Sequence, residues 1–269
     1  SLSFSFLILT FFQPILSGVA DFSGNKKLFL RLFMYLGSFA CMSLYFFDGN
    51  NVEFGIICSV IASIGFTGSL VFYNAFLPEI ASEDDYDKIS ARGYTFGYIG
   101  SVILLVICLI LIQMFDLFGF KDSKSATKFT FLLVGIWWIV FSQITLYFLP
   151  QKAKKIKLNS KILSHGINEL IKVWNYIKNV RNLKLYLFSY FFYSMGVQTI
   201  MLVASYFGSK ELNLDQDKLI FTILIIQIIA IFGAYFFAYV SKMKGIKFSL
   251  VVMNIAWIFI CFSAYFTTN

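Results

Sequence analysis

Residues 101–115 read SVILLVICLILIQMF, a run with one amide and no charge that is apolar at every phase. A transmembrane barrel strand would span about ten residues and alternate lipid-facing with lumen-facing side chains. This run does not alternate, so it reads as a helix, whose backbone hydrogen bonds are satisfied internally in hydrocarbon. Extended outward to about residues 94 to 115, it is long enough to cross a core of roughly 30 Å at about 1.5 Å per residue.

The same signal recurs along the chain. Eight spans are expected, at about 1–19, 28–47, 53–76, 94–115, 128–149, 183–207, 217–240 and 248–268. Their centres lack charge, as insertion requires when Asp, Lys or Arg costs about 2.5–3.5 kcal/mol at a helix centre. Composition agrees: of 269 residues 59% are hydrophobic and 13% charged, with a mean hydropathy of +0.78, outside the range of soluble domains.

The net charge of +8 sorts by side. The loops after the first, third, fifth and seventh spans hold seventeen of the 22 basic residues; Lys121, Lys124, Lys128, Lys210 and Lys218 hold the other side. The positive-inside rule makes the first set cytoplasmic, and anionic lipid headgroups, rather than nucleic acid, are the expected partner of these lysines. Cys41, Cys58, Cys108 and Cys261 fall inside apolar spans without paired spacing, and His165 is the only histidine. They read as small hydrophobes and a loop residue, so neither a metal nor a cofactor is expected.

The segment 150–182 divides the chain. Within it Ile162, Leu163, Ile167, Leu170, Ile171, Trp174 and Ile177 recur at helical spacing among lysines and asparagines, which predicts an amphipathic helix on the cytoplasmic membrane surface. The expected domains are therefore 1–149, a cytoplasmic linker 150–182, and 183–269.

Residues 17–26, SGVADFSGNK, have a faint echo at 238–247, AYVSKMKGIK, which keeps Val third, Gly eighth and Lys tenth. Both lead into an apolar span, as a duplicated half-bundle would require. The first copy follows the first visible span, the second copy the second span after the linker. Equivalent halves then imply one helix ahead of Ser1 and three beyond Asn269, twelve in all, with helices two to nine visible.

Two sixes, a long linker and this loop resemble the major facilitator superfamily, although Ser17 and Phe22 stand where its loop carries Gly and Arg. The segments FYNAFLPEIASEDDYDKISARGYTFGYIGS, residues 72–101, and FFYSMGVQTIMLVASYFGSKEL, residues 191–212, are similar to the vacuole-effluxer-like transporters. That group includes autophagy-related amino-acid exporters of fungi and many bacterial relatives. The resemblance implies an all-α polytopic bundle of two six-helix halves, which moves a small solute, an amino acid among the classes expected, by alternating access. A bacterial inner membrane and a monomer are expected, with protons as a coupling ion to be weighed; no carboxylate lies deep in a visible span.

The resemblance also assigns roles. Asp21, Gly24, Lys26 and Lys27 form a gating loop, Gly24 permitting a tight turn, the lysines reaching headgroups, and Arg92 partnering Asp21. The acids Glu79, Glu83, Asp84, Asp85 and Asp87 read either as a solvated loop or as pairing with basic residues of the linker or second half. Gly93, Gly97 and Gly100 share a face and predict close helix packing. For the solute, the polar residues of spans expected to line the cavity are Gln198 and Thr199 first, then Asn74, Tyr98 and Gln227. Two other classes are weighed: a non-transporting scaffold or receptor, and a lipid-processing enzyme with Mg²⁺ on SEDDYD, residues 82–87.

Overall fold

The computed structural model describes residues 2–150 and 160–267. Residues 151–159, and the side chains of 160–165, lie outside the described residues, and with them the basic start of the linker and His165. The fold is all-α. Eight of the described helices are long and apolar enough to cross a membrane, at the places where the apolar runs put them.

The helices are α1 (Leu2–Ser23), α2 (Lys26–Ser43), α3 (Val52–Asn74), α4 (Leu77–Ile80), α5 (Tyr86–Gln113), α6 (Ser123–Phe148), α7 (Ser160–Asn179), α8 (Arg181–Lys210), α9 (Gln216–Lys244) and α10 (Ile246–Tyr265). Several run past the expected spans. α5 begins at Tyr86 rather than near 94, so Asp87, Lys88 and Arg92 stand on its first turns. Apolar runs mark where hydrocarbon begins, whereas the helix continues as long as its backbone bonds are made.

Contacts divide the chain into two compact units, Ser1–Ala81 with Val106–Asn179, and Ser82–Leu105 with Val180–Asn269. The linker helix α7 thus belongs with the first unit, and the start of α5 with the second.

In the first unit α2 is the central helix, packed on α3 and α6. Small residues let the backbones meet: a Cβ on Gly65 would fall on the Gly37 backbone, and one on Gly135 would strike Met42 and the Ser38 carbonyl. Such interfaces suit a bilayer, where apolar side chains gain nothing from leaving lipid and close packing must hold the helices together. Around them Val19, Ala20, Phe29, Leu30, Met34, Phe72, Phe76 and Leu146 form a buried core, with Phe72 stacked on Phe29 at 5.4 Å and on Phe33 at 5.8 Å between ring centroids.

α7 packs on α1 at a crossing of Gly18 and Gly166, where a Cβ on Gly18 would come within 2.8 Å of the Gly166 carbonyl oxygen. Gly166 and Leu170 meet the neighbour, whereas Ile167, Ile171 and Trp174 of the apolar stripe remain exposed. In the second unit α9 packs with α8 and α10. There a Cβ on Gly97, Gly100, Gly196 or Gly233 would meet no atom of the described residues within 4 Å. The close approach expected at Gly97 and Gly100 is not made, because spacing sets a shared face without supplying a helix to lie on it.

Candidate functional site

The lysine-rich ends of α1, α2 and α3 come together in the first unit. α1 stops at Gly24, whose φ of 68° is the left-handed region that glycine enters without strain. The Asn25 N–H returns to the Ala20 carbonyl at 3.1 Å, the reach of a Schellman-type helix stop. Two charges are then misplaced. Asp21 sits on the last turn of α1, and Lys26 is the first residue of α2; each faces the helix-dipole end of its own sign.

Pairing offsets both. Lys26 Nζ lies 3.2 Å from Asp21 Oδ1 and 3.0 Å from Glu79 Oε1, and also donates to the Ala75 carbonyl at 3.5 Å. Pro78 and Glu79 lie in the short α4 just beyond α3, so one ammonium ties the α1–α2 turn to the end of α3. Its side chain is 18% exposed, Glu79's 20% and Asp21's 58%. Charge-assisted bonds of this kind strengthen as water is excluded.

Lys27, the next residue, donates to the Leu149 carbonyl at 3.0 Å, where a cation complements the negative end of α6. The two lysines expected to reach headgroups are therefore both engaged by protein oxygens. Arg92 stands exposed on α5, in the second unit. There α9 ends at Gly245, φ 84° and ψ 158°, and Ser241 Oγ donates to Asp87 Oδ2 at 2.5 Å. The acidic segment thus splits. Glu79 serves the first loop and Asp87 the second, while Glu83, Asp84 and Asp85 are exposed.

The solute candidates scatter. Asn74, exposed, is the last residue of α3, at the helix end rather than in the span interior. Gln198 and Thr199 are exposed on α8. They lie off the face where Tyr193, Gly196 and Val197 join Asn254 and Trp257 of α10 around a largely apolar groove of about 730 Å³. Tyr98 is half-buried on α5. Gln227, half-buried on α9, has its Oε1 shut from solvent with no hydrogen-bond partner among the described residues, and Thr95 Oγ1 on α5 is in the same condition. Thr95 was missed by sequence reasoning, since a lone threonine on an apolar helix ordinarily bonds its own backbone. Among the described residues no cluster of three or more His, Cys, Asp or Glu could hold a metal ion.

The model of the family described as vacuole effluxer Atg22 like matches residues 1–268. The chain is similar to the uncharacterized MFS-type transporter YxiO of Bacillus subtilis, 29% identical over 99% of this chain and 62% of that protein. It is also similar to autophagy-related protein 22-1 of Penicillium rubens, 21% identical over 93% of this chain and 54% of that one. Autophagy-related protein 22 of Kluyveromyces lactis is 23% identical over 97% and 57%. The chain thus spans about 54–62% of the length of these relatives. No solved structure matches it.

Proposed function

This chain belongs to the vacuole effluxer Atg22-like family, and from that premise we propose that it moves a small neutral or zwitterionic solute, with amino acids the first class to test, across a membrane by alternating access. The observation that carries this reading is Gln227 Oε1. Gln227 lies about 16 Å from the start of α9 and about 25 Å from its end at about 1.5 Å per residue, near the middle of a membrane-crossing helix. An unpaired polar group there costs several kcal/mol in hydrocarbon. A solute ammonium or hydroxyl would supply the missing donor, and Gln198 and Thr199 on α8 add neutral donors and acceptors.

The lysine-rich knot is then the inner gate. Asp21, Lys26 and Glu79 form a contact that holds one end of the first unit shut, and the positive-inside rule sets that end in the cytoplasm. Alternation would require the contact to be weaker in the opposite state, since a ligand shifts a two-state equilibrium only through differential binding.

The test is counterflow of labelled amino acids into proteoliposomes containing the full-length protein, with and without a pH gradient. Saturable counterflow that falls at least tenfold in Gln227→Leu, with insertion unchanged, supports the reading. Counterflow of no solute, or unchanged counterflow in the variant, removes either the carrier role or the Gln227 site. Acceleration by the pH gradient would assign protons as the coupling ion.

A further inference from the structure

At the lysine-rich end of the first unit, α2 and α6 run antiparallel, with Lys27 fastened to the carbonyl just past the end of α6. Lys27 and Arg31 stand one turn apart on α2, and Gln143 and Tyr147 stand one turn apart on α6. With Ile144 and Phe148 these side chains line a cleft of about 570 Å³. Two cations here meet no acid within the cleft. Lys27 is partly spent on the Leu149 carbonyl. Arg31 is exposed, and no carboxylate pairs with it among the described residues.

Depth and shape narrow the occupant. Arg31 lies about 7 Å inside the start of α2 at about 1.5 Å per residue, and interfacial groups sit about 5–10 Å into the headgroup and acyl boundary. Ile144 and Phe148 of the cleft stand on one exposed stripe of α6 that continues below it through Val140 and Ile136, a track for a hydrocarbon chain. At the cleft's rim Tyr147 is 82% exposed, as aromatic side chains at a membrane boundary are. Cations at the top and an apolar track below match an amphiphile with an anionic head, and a guanidinium presents the fork geometry that holds phosphate oxygens in pairs.

We propose that this cleft between α2 and α6 is a binding site for one anionic phospholipid, its headgroup phosphate on Arg31 with the Tyr147 hydroxyl and Lys27 at the rim. The leaflet, inner rather than outer, rests on the orientation proposed above; binding itself does not depend on transport. Basic pockets between spanning helices hold anionic lipids in this manner. Occupation would stitch α2 to α6 beside the Lys26 knot.

Native mass spectrometry of the full-length protein, loaded with phosphatidylglycerol or phosphatidylcholine, reads the site directly. One phosphatidylglycerol should survive activation that strips phosphatidylcholine. Arg31→Gln should lower its retention by about tenfold, the loss of one charge-assisted pair, Tyr147→Phe by less, and Arg31→Lys by an intermediate amount because the charge stays and the fork goes. Equal retention in wild type and Arg31→Gln would overturn the site. Displacement of the lipid by excess inorganic phosphate would overturn the lipid assignment in favour of a soluble anion. Should Arg31→Gln fail to insert, Arg31→Lys and Tyr147→Phe decide alone, and no change in either refutes the proposal.

Discussion

Two turns in this chain share a positive-φ glycine and are held by different chemistry. α1 gives way to α2 through Gly24, and α9 gives way to α10 through Gly245, each glycine at positive φ and each followed two residues later by a lysine. At the first turn that lysine, Lys26, is drawn inward by two carboxylates. At the second, Lys247 is exposed, and the contact is the neutral donor Ser241 on Asp87. The positive-φ glycine repeats while the side-chain contact does not, so the two turns should respond differently to the same substitution.

The largest expected difference is at the lysines. Lys26→Met strips Glu79 and Asp21 of their 3.0 and 3.2 Å ion pairs. Hydrogen bonds to charged groups contribute about 1.5–3 kcal/mol, and the lower half of that range suits a pair in which Asp21 is largely solvated. Thermal melting of the purified protein should show the loss, whereas Lys247→Met should leave the midpoint in place. Equal effects would mean that the knot at Lys26 is no stronger than its solvated counterpart.

The glycines should separate next. Gly24 stops its helix in the left-handed region, which Asn also tolerates. Gly245, at φ 84° and ψ 158°, occupies a region essentially restricted to glycine, where another residue costs about 1–3 kcal/mol. Gly245→Asn should therefore lower the melting midpoint clearly and Gly24→Asn barely. The reverse order would show that the shared φ hides a different constraint. A smaller step follows at the second turn. Ser241→Ala removes one exposed hydrogen bond, a net contribution of about 0.5–1.5 kcal/mol, and Asp87→Ala should match it, because both break the same bond; a double variant no worse than either single confirms the pair.

These contacts also mark how far the sequence could be read. All eight spans were legible, because an uncharged run of about 20 residues has few alternatives in physics. Gly24 was legible as a turn, and Gly245 as its counterpart in the echo at 238–247. Glu79 as the partner of Lys26 was not, since 53 residues separate them and the acids of 79–87 read equally well as a solvated loop. Lys27 looked like a headgroup anchor until the Leu149 carbonyl, 122 residues away, appeared beside it. Gly97 and Gly100 advertised a packing face, whereas the crossings used Gly37, Gly65 and Gly135, scattered over three helices. Gln198 ranked ahead of Gln227 in sequence; the burial of the Gln227 amide oxygen singles out the second.

Asp122 supplies the reference for Asp21, because it places the same acid at the favourable end of a helix. It caps α6, accepting from the Ser125 hydroxyl at 2.6 Å and the Ser125 N–H at 2.7 Å. These bonds, the hydroxyl first, hold its carboxyl below the usual carboxylate range. A depressed folded-state pKa contributes stability above the unfolded value of about 3.9, lost as pH falls through the folded value. Asp122→Asn should therefore flatten the acid limb of a melting-versus-pH curve below about pH 4 and leave the neutral plateau almost unmoved, since Asn also caps well. Asp122 is fully solvated, so the change should be the smallest of the set. A steep acid limb that survives in Asp122→Asn would show that the cap carries none of the acid sensitivity.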